Sequence, residues 1–115
     1  MITLYGIKNC DTMKKAMKWL QSNNIDYTFH DYKKAGLDIK TLNSWLKTTD
    51  WELLLNRRGT TWRKLGEDIK ENINKSSAKA VMLENTSIIK RPVLDVNGNI
   101  FVGFSDSQYE EIFQK

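Results

Sequence analysis

Ile2-Thr3-Leu4-Tyr5-Gly6-Ile7-Lys8-Asn9-Cys10-Asp11-Thr12-Met13-Lys14-Lys15-Ala16 changes from strand chemistry to helix chemistry at a single thiol. Residues 2–7 are β-branched, aromatic and apolar, which reads as a short strand. Asp11 opens a helix-forming run whose apolar positions Met13, Ala16, Met17 and Leu20 follow the i, i+3, i+4, i+7 spacing of one buried face. That run extends from about Thr12 to Asn23. Asn23-Asn24 is a natural stop, because asparagine tolerates the left-handed cap conformation. Tyr27 to Tyr32 then reads as a second strand. The three segments form a β-α-β unit, whose strands are expected to be parallel with a right-handed crossover.

The closing stretch returns to strand period. Val93-Leu94-Asp95-Val96 and Ile100-Phe101-Val102 flank Asn97-Gly98, a two-residue hairpin turn in which both residues accept positive φ, with Asn99 in either the turn or the second strand. Ser105-Asp106-Ser107-Gln108 matches a capping box ahead of Tyr109, Ile112 and Phe113, which share one helix face. Between these ends, Lys33–Gly36 reads as a loop and Asp38 as the cap of a helix over Ile39–Leu46. Asp50 caps a short helix through Leu54, and Asn56–Gly59 breaks it. Thr60 or Thr61 starts another turn, and Ser76 or Ser77 caps Ala78–Leu83. The order is β-α-β, helices, β-β-α. This is the plan of a thioredoxin-like α/β fold: a four-stranded mixed sheet flanked by helices. The whole chain is read as one domain, with 1–34 and 88–115 as its core and about 35–87 as a helical insertion.

With 115 residues, the chain has room for one proper core. One cysteine excludes an internal disulfide scaffold and fits a reducing cytosol. The start enters a strand without the charged and apolar regions of a secretory leader. No apolar run approaches the roughly 20 residues that span a bilayer. The net charge of +4 comes from basic residues spread among 14 acids, not a basic face interleaved with aromatics, so direct nucleic-acid binding is not expected. One histidine and one cysteine supply no metal-ligand set without carboxylates, and no dinucleotide fingerprint occurs. No metal and no bound cofactor are expected. His30, in the second strand, reads as structural.

Cys10 is the candidate nucleophile. A thiol at a helix start faces unpaired N–H groups and the positive end of the helix, which favour thiolate. An unperturbed cysteine, of pKa about 8.5, is only a few per cent thiolate at pH 7. The helix start, Lys8, Lys14 and a nearby Arg91 would together raise that fraction. Thr12 would contribute either its hydroxyl or its backbone N–H. The competing reading of Cys10 is an inert, buried cysteine acting as a small hydrophobe. The polar setting of Lys8-Asn9-Cys10-Asp11-Thr12 favours the reactive one. Pro92, the only proline, precedes the third strand. It reads either as an ordinary trans proline opening a strand or as a cis proline with a positional role. Arginine suits anion binding, because its planar fork pairs with a carboxylate or oxyanion at any working pH.

Five segments carry a resemblance to a known family: Leu4–Thr12, Asn24-Ile25-Asp26-Tyr27, Arg58-Gly59-Thr60-Thr61-Trp62-Arg63-Lys64-Leu65, Ile88-Ile89-Lys90-Arg91-Pro92 and Gly103-Phe104-Ser105-Asp106. In this order they resemble the YffB branch of the arsenate reductase ArsC family, which also contains the transcriptional regulator Spx. The resemblance implies a thioredoxin-like sheet with an inserted helical subdomain. It also implies Cys10 as nucleophile, Arg58 and Arg91 as anion-gripping arginines, and Pro92 as a cis residue beside the thiol. Three departures accompany it. Val102-Gly103-Phe104-Ser105 offers no third arginine, Gly6 stands near the place of a family histidine, and Met13 stands where Spx often has a second cysteine. The implied function is a cytoplasmic thiol oxidoreductase with glutathione as co-substrate and a small anionic or thiol substrate. Lys8, Thr12, Arg58, Arg91 and Pro92 would bind that substrate or glutathione around Cys10. The alternatives are a non-enzymatic, Spx-like protein that binds RNA polymerase and, third, arsenate reductase proper.

Overall fold

Leu4 and Leu94 face each other across the centre of the sheet, and Phe29 and Phe101 extend the same row to its two edges. The computed structural model that shows this describes residues 1–115. The chain runs β1 (Ile2–Gly6), α1 (Asp11–Ser22), β2 (Thr28–Asp31), α2 (Tyr32–Ala35), α3 (Ile39–Leu46), α4 (Trp51–Leu54), α5 (Thr60–Arg63), α6 (Glu67–Glu71) and α7 (Lys75–Glu84). A 3-10 turn (Thr86–Ile88), β3 (Val93–Val96), β4 (Asn99–Val102) and α8 (Asp106–Phe113) complete it. The four strands lie in the order β2-β1-β3-β4, with β1 and β2 parallel and the other two pairings antiparallel. This is the expected mixed sheet.

Two compact units make up the chain: Met1–Ala35 with Arg91–Lys115, and Gly36–Lys90. In the first, the Phe29–Leu4–Leu94–Phe101 row carries Met13, Ala16 and Leu20 of α1 and Tyr109 of α8. Because side chains alternate along a strand, residues two apart share a face, and Ile2 and Val96 join the same cluster. Tyr109 is the hub of the aromatic packing, edge-on to Trp19 at 5.5 Å and to Phe104 at 4.6 Å. The hairpin turn is as expected, with φ of 53° at Asn97 and 93° at Gly98, and Asn99 belongs to β4. Asn24, at φ 56°, closes the end of α1.

The second unit holds the helices of residues 36–90. Asp38 and Asp50 cap as expected, accepting from the N–H of Thr41 at 2.8 Å and of Glu52 at 3.0 Å. A backbone bridge between Leu55 and Ile89, flanked by Asn56 N–H to Ile88 C=O and Lys90 N–H to Leu54 C=O, both 2.8 Å, ties the middle of this unit's chain to its C-terminal end. Its buried residues include Leu42, Trp45, Leu54, Leu55, Met82 and Ile88.

Several expectations are corrected. The second strand is shorter than Tyr27–Tyr32, and Lys33–Ala35 is helical, not loop, because the Asp31 carboxylate accepts from Lys33 N–H at 3.0 Å and turns the chain. The cap of α7 is Asn74, not Ser76 or Ser77. Asn74 accepts from Ser77 N–H, and the Ser77 hydroxyl accepts from Asn74 N–H, both at 3.0 Å. The helix α6, capped by Gly66, forms where the sequence signals none. At α8 the box is half formed, since Ser105 accepts from Gln108 N–H while the Gln108 amide donates to Val102 C=O.

Candidate functional site

Cys10 is the N-cap residue of α1, with extended backbone at φ −145° and ψ 127°. Its own C=O accepts the first helical hydrogen bond, from Lys14 N–H at 3.0 Å. The side chain is thereby turned toward the open first turn, where helix N–H groups have no carbonyl partner within the helix. The sulfur closes no cap bond of ordinary geometry, yet it lies in the field of those amides. Partial burial pushes the thiol up. Against it, the Met13 N–H, the Arg91 side chain as hydrogen-bond donor and charge, and the Thr12 N–H together bring it below its ordinary value. A thiolate is stabilised at this position by donors, not merely tolerated. The choice left open at Thr12 therefore falls on its backbone N–H as the group acting on the sulfur.

The structure thus brings Cys10, Thr12 and Arg91 together. Pro92 follows Arg91 through a cis peptide bond, and its C=O accepts from Gly103 N–H at 2.8 Å. Lys8 is exposed in the bend before Cys10, and the full charge acting on the sulfur is that of Arg91. Arg58 belongs to the second unit, where it lines a concavity of about 380 Å³ with Arg57 and Lys90.

Two residues around Cys10 and Arg91 are not legible as such in the sequence. One is the Met13 amide, because the sequence marks Met13 for its side chain, on the apolar face of α1 and in place of a second cysteine. The Met13 side chain is fully buried, and a Cβ built on Gly6 would lie 2.3 Å from its sulfur. The thioether therefore occupies the space that a side chain at position 6 would need. The absence of a histidine at 6 and of a second cysteine at 13 are two sides of one packing arrangement. The other is Tyr32, which lies within the field of Arg91. It is 4% exposed, its hydroxyl has no hydrogen-bond partner, and burial holds the phenol neutral. Tyr5 pushes in the same direction, and the Arg91 charge opposes them. Tyr32 packs on Tyr5 and His30, whose rings lie 4.8 Å apart, so His30 belongs to an aromatic cluster on β1 and β2. No group of three or more His, Cys, Asp or Glu side chains is arranged to hold a metal ion. No helix is long and apolar enough to cross a membrane.

An open four-stranded sheet with a donor-stabilised thiol at the first strand–helix junction defines a thioredoxin-like α/β protein with a single-cysteine site. The chain belongs to the ArsC family, whose sequence profile matches residues 5–112. Among solved structures it is similar to the YFFB (PA3664) protein, at 46% identity and TM-score 0.92 over 96% of this chain and 97% of that one. It is also similar to an arsenate reductase (ArsC) related protein from Brucella melitensis, at 58% identity and TM-score 0.79 over 99% and 95% of the two chains. The global transcriptional regulator Spx of Staphylococcus aureus is 26% identical over 110 residues, covering 94% of this chain and 83% of that protein.

Proposed function

We propose that this chain is a cytoplasmic thiol oxidoreductase in which Cys10 is the nucleophile and glutathione the resolving thiol. The observation that carries the reading is the convergence of the Met13 and Thr12 amides and Arg91 on the sulfur of Cys10. In the first step the Cys10 thiolate attacks the glutathione sulfur of a mixed disulfide, forming a Cys10–glutathione disulfide and releasing the substrate thiolate. In the second, glutathione thiolate attacks the sulfur of that adduct, giving oxidised glutathione and restoring the Cys10 thiolate. The net exchange breaks the substrate–glutathione S–S bond and forms the S–S bond of oxidised glutathione: the substrate sulfur leaves reduced as thiolate, and the one incoming glutathione thiolate is oxidised. A second protein cysteine is not required, and this chain has none.

Arg91 neutralises the attacking sulfur and the incoming anion, Lys8 adds positive charge for the anionic partner, and Pro92 shapes the wall beside the thiol. Arsenate itself is the less favoured substrate, since the segment after β4 supplies no third arginine to grip an oxyanion. The test is intact-protein mass spectrometry after incubation with oxidised glutathione. The expected result is a single glutathione adduct at Cys10 that reduced glutathione removes. An unmodified thiol under those conditions would sink the reading. A second reading, contact with RNA polymerase without redox chemistry, draws on the likeness to Spx along 94% of this chain. Retention of polymerase by the immobilised protein, unchanged in Cys10→Ser, would favour it.

A further inference from the structure

The second unit carries a concentration of charge that the thiol chemistry does not use. Its concavity of about 380 Å³ is lined by Glu52, Leu55, Asn56, Arg57, Arg58 and Lys90, three cations against one carboxylate. The cations are brought together by the Leu55–Ile89 bridge, which sets Asn56–Arg58 opposite Lys90. The turn is further held by the Asn56 side chain, which accepts from Arg58 N–H at 3.1 Å. Arg57 is oriented as well as placed. Its guanidinium carbon lies 5.9 Å from the Trp51 ring centre and 5.3 Å from that of Trp62, within cation–π range of both. Two aromatic contacts reduce the side-chain freedom that a bound anion would otherwise have to restrict.

The one acid in the concavity is informative. Glu52 approaches Arg57 only to 3.7 Å, beyond hydrogen-bond length, and both side chains are substantially exposed. A pair this loose contributes little and is easily exchanged. A carboxylate with full access to the Arg57 fork and Lys90 would make shorter, charge-assisted bonds. We infer that this concavity is a binding site for a carboxylate-bearing small molecule, in which Arg57 and Lys90 are the principal contacts and the Glu52 carboxylate is a displaceable stand-in for the ligand. The choice of a glutathione-like ligand rests on the thiol-oxidoreductase reading; the existence of the site does not.

The test is calorimetric titration at constant ionic strength with S-methylglutathione, which keeps both carboxylates but cannot form a disulfide. Saturable binding is expected, weakened about tenfold or more in Lys90→Gln and in Arg57→Gln, and tightened about threefold in Glu52→Gln. Lys90 and Glu52 are exposed, so their variants report on binding even if Arg57→Gln disturbs the tryptophan contacts. No saturable binding, or binding indifferent to Lys90→Gln and Glu52→Gln, overturns the site. Tighter binding of inorganic phosphate with the same dependence on these residues overturns the carboxylate assignment. Binding as expected, without a glutathione adduct at Cys10, would defeat the thiol reading and leave the site standing. An adduct without binding does the reverse.

Discussion

Arg91 is the full positive charge on Cys10, and removing it tests the electrostatics directly. Arg91→Met is expected to raise the thiol pKa and slow alkylation at neutral pH, as read from iodoacetamide rate against pH. In the unsubstituted protein, the midpoint of that profile is expected below the ordinary cysteine value, because the donors of Met13, Arg91 and Thr12 outweigh the opposing effect of burial. The sign for stability follows. A lowered thiol pKa stabilises the fold fully above the unfolded-state pKa, and the contribution is lost as pH falls through the folded one. Gly6 offers a second test at this scale. Gly6→Ala forces the fully buried Met13 thioether to move, at a cost of about 1–3 kcal/mol by chemical denaturation. In a Met13→Ala background, itself costing about 2–5 kcal/mol, the same change should cost clearly less, because the cavity accepts the added methyl. Equal costs in both backgrounds would refute the coupling.

Among the elements, the short helices of residues 36–90 depend on their caps and their docking. Asn74→Ala removes the reciprocal bonds with Ser77 and should destabilise by about 1 kcal/mol in urea unfolding. At α3 the cap is a titrating group. Thr41 N–H and the nearby donors hold the Asp38 carboxyl below its usual range. The stability it contributes is therefore present above the unfolded carboxylate pKa and lost as pH falls through the folded one. Asp38→Asn should flatten that part of the stability–pH curve. Elements with strong local signals were the legible ones. Leu4 and its neighbours, the apolar face of α1, Asn97-Gly98 and the caps at Asp38 and Asp50 each state their structure within a few residues. Asn74 does not stand out in the sequence, because two serines nearer the apolar run are equally good caps by type. The helix α6 lacks an apolar face of its own: its residues Glu67, Asp68, Ile69 and Glu71 are exposed.

At the scale of the molecule, each compact unit has its own buried residues to test. Leu94→Ala, in the central sheet row, should cost about 2–5 kcal/mol, and Trp45→Ala, fully buried in the second unit, about 3–5 kcal/mol, both by denaturant unfolding. The sequence by itself determined the β-α-β opening, the closing hairpin and helix, and a lone thiol at a helix start. All of these follow from period, turn chemistry and capping between residues close in the chain. Only the tertiary structure decided the strand order, which brings Leu4 between Phe29 and Leu94, and the arrival of Arg91 at Cys10 from the far end of the sequence. It also decided that Met13 fills the space beside Gly6, and that Lys90 stands opposite Arg57 with two tryptophans against the guanidinium. These are contacts between residues distant in the chain, and local preference carries no term for them. They exist because burying the apolar row of the sheet and pairing Leu55 with Ile89 bring these distant segments of the chain side by side.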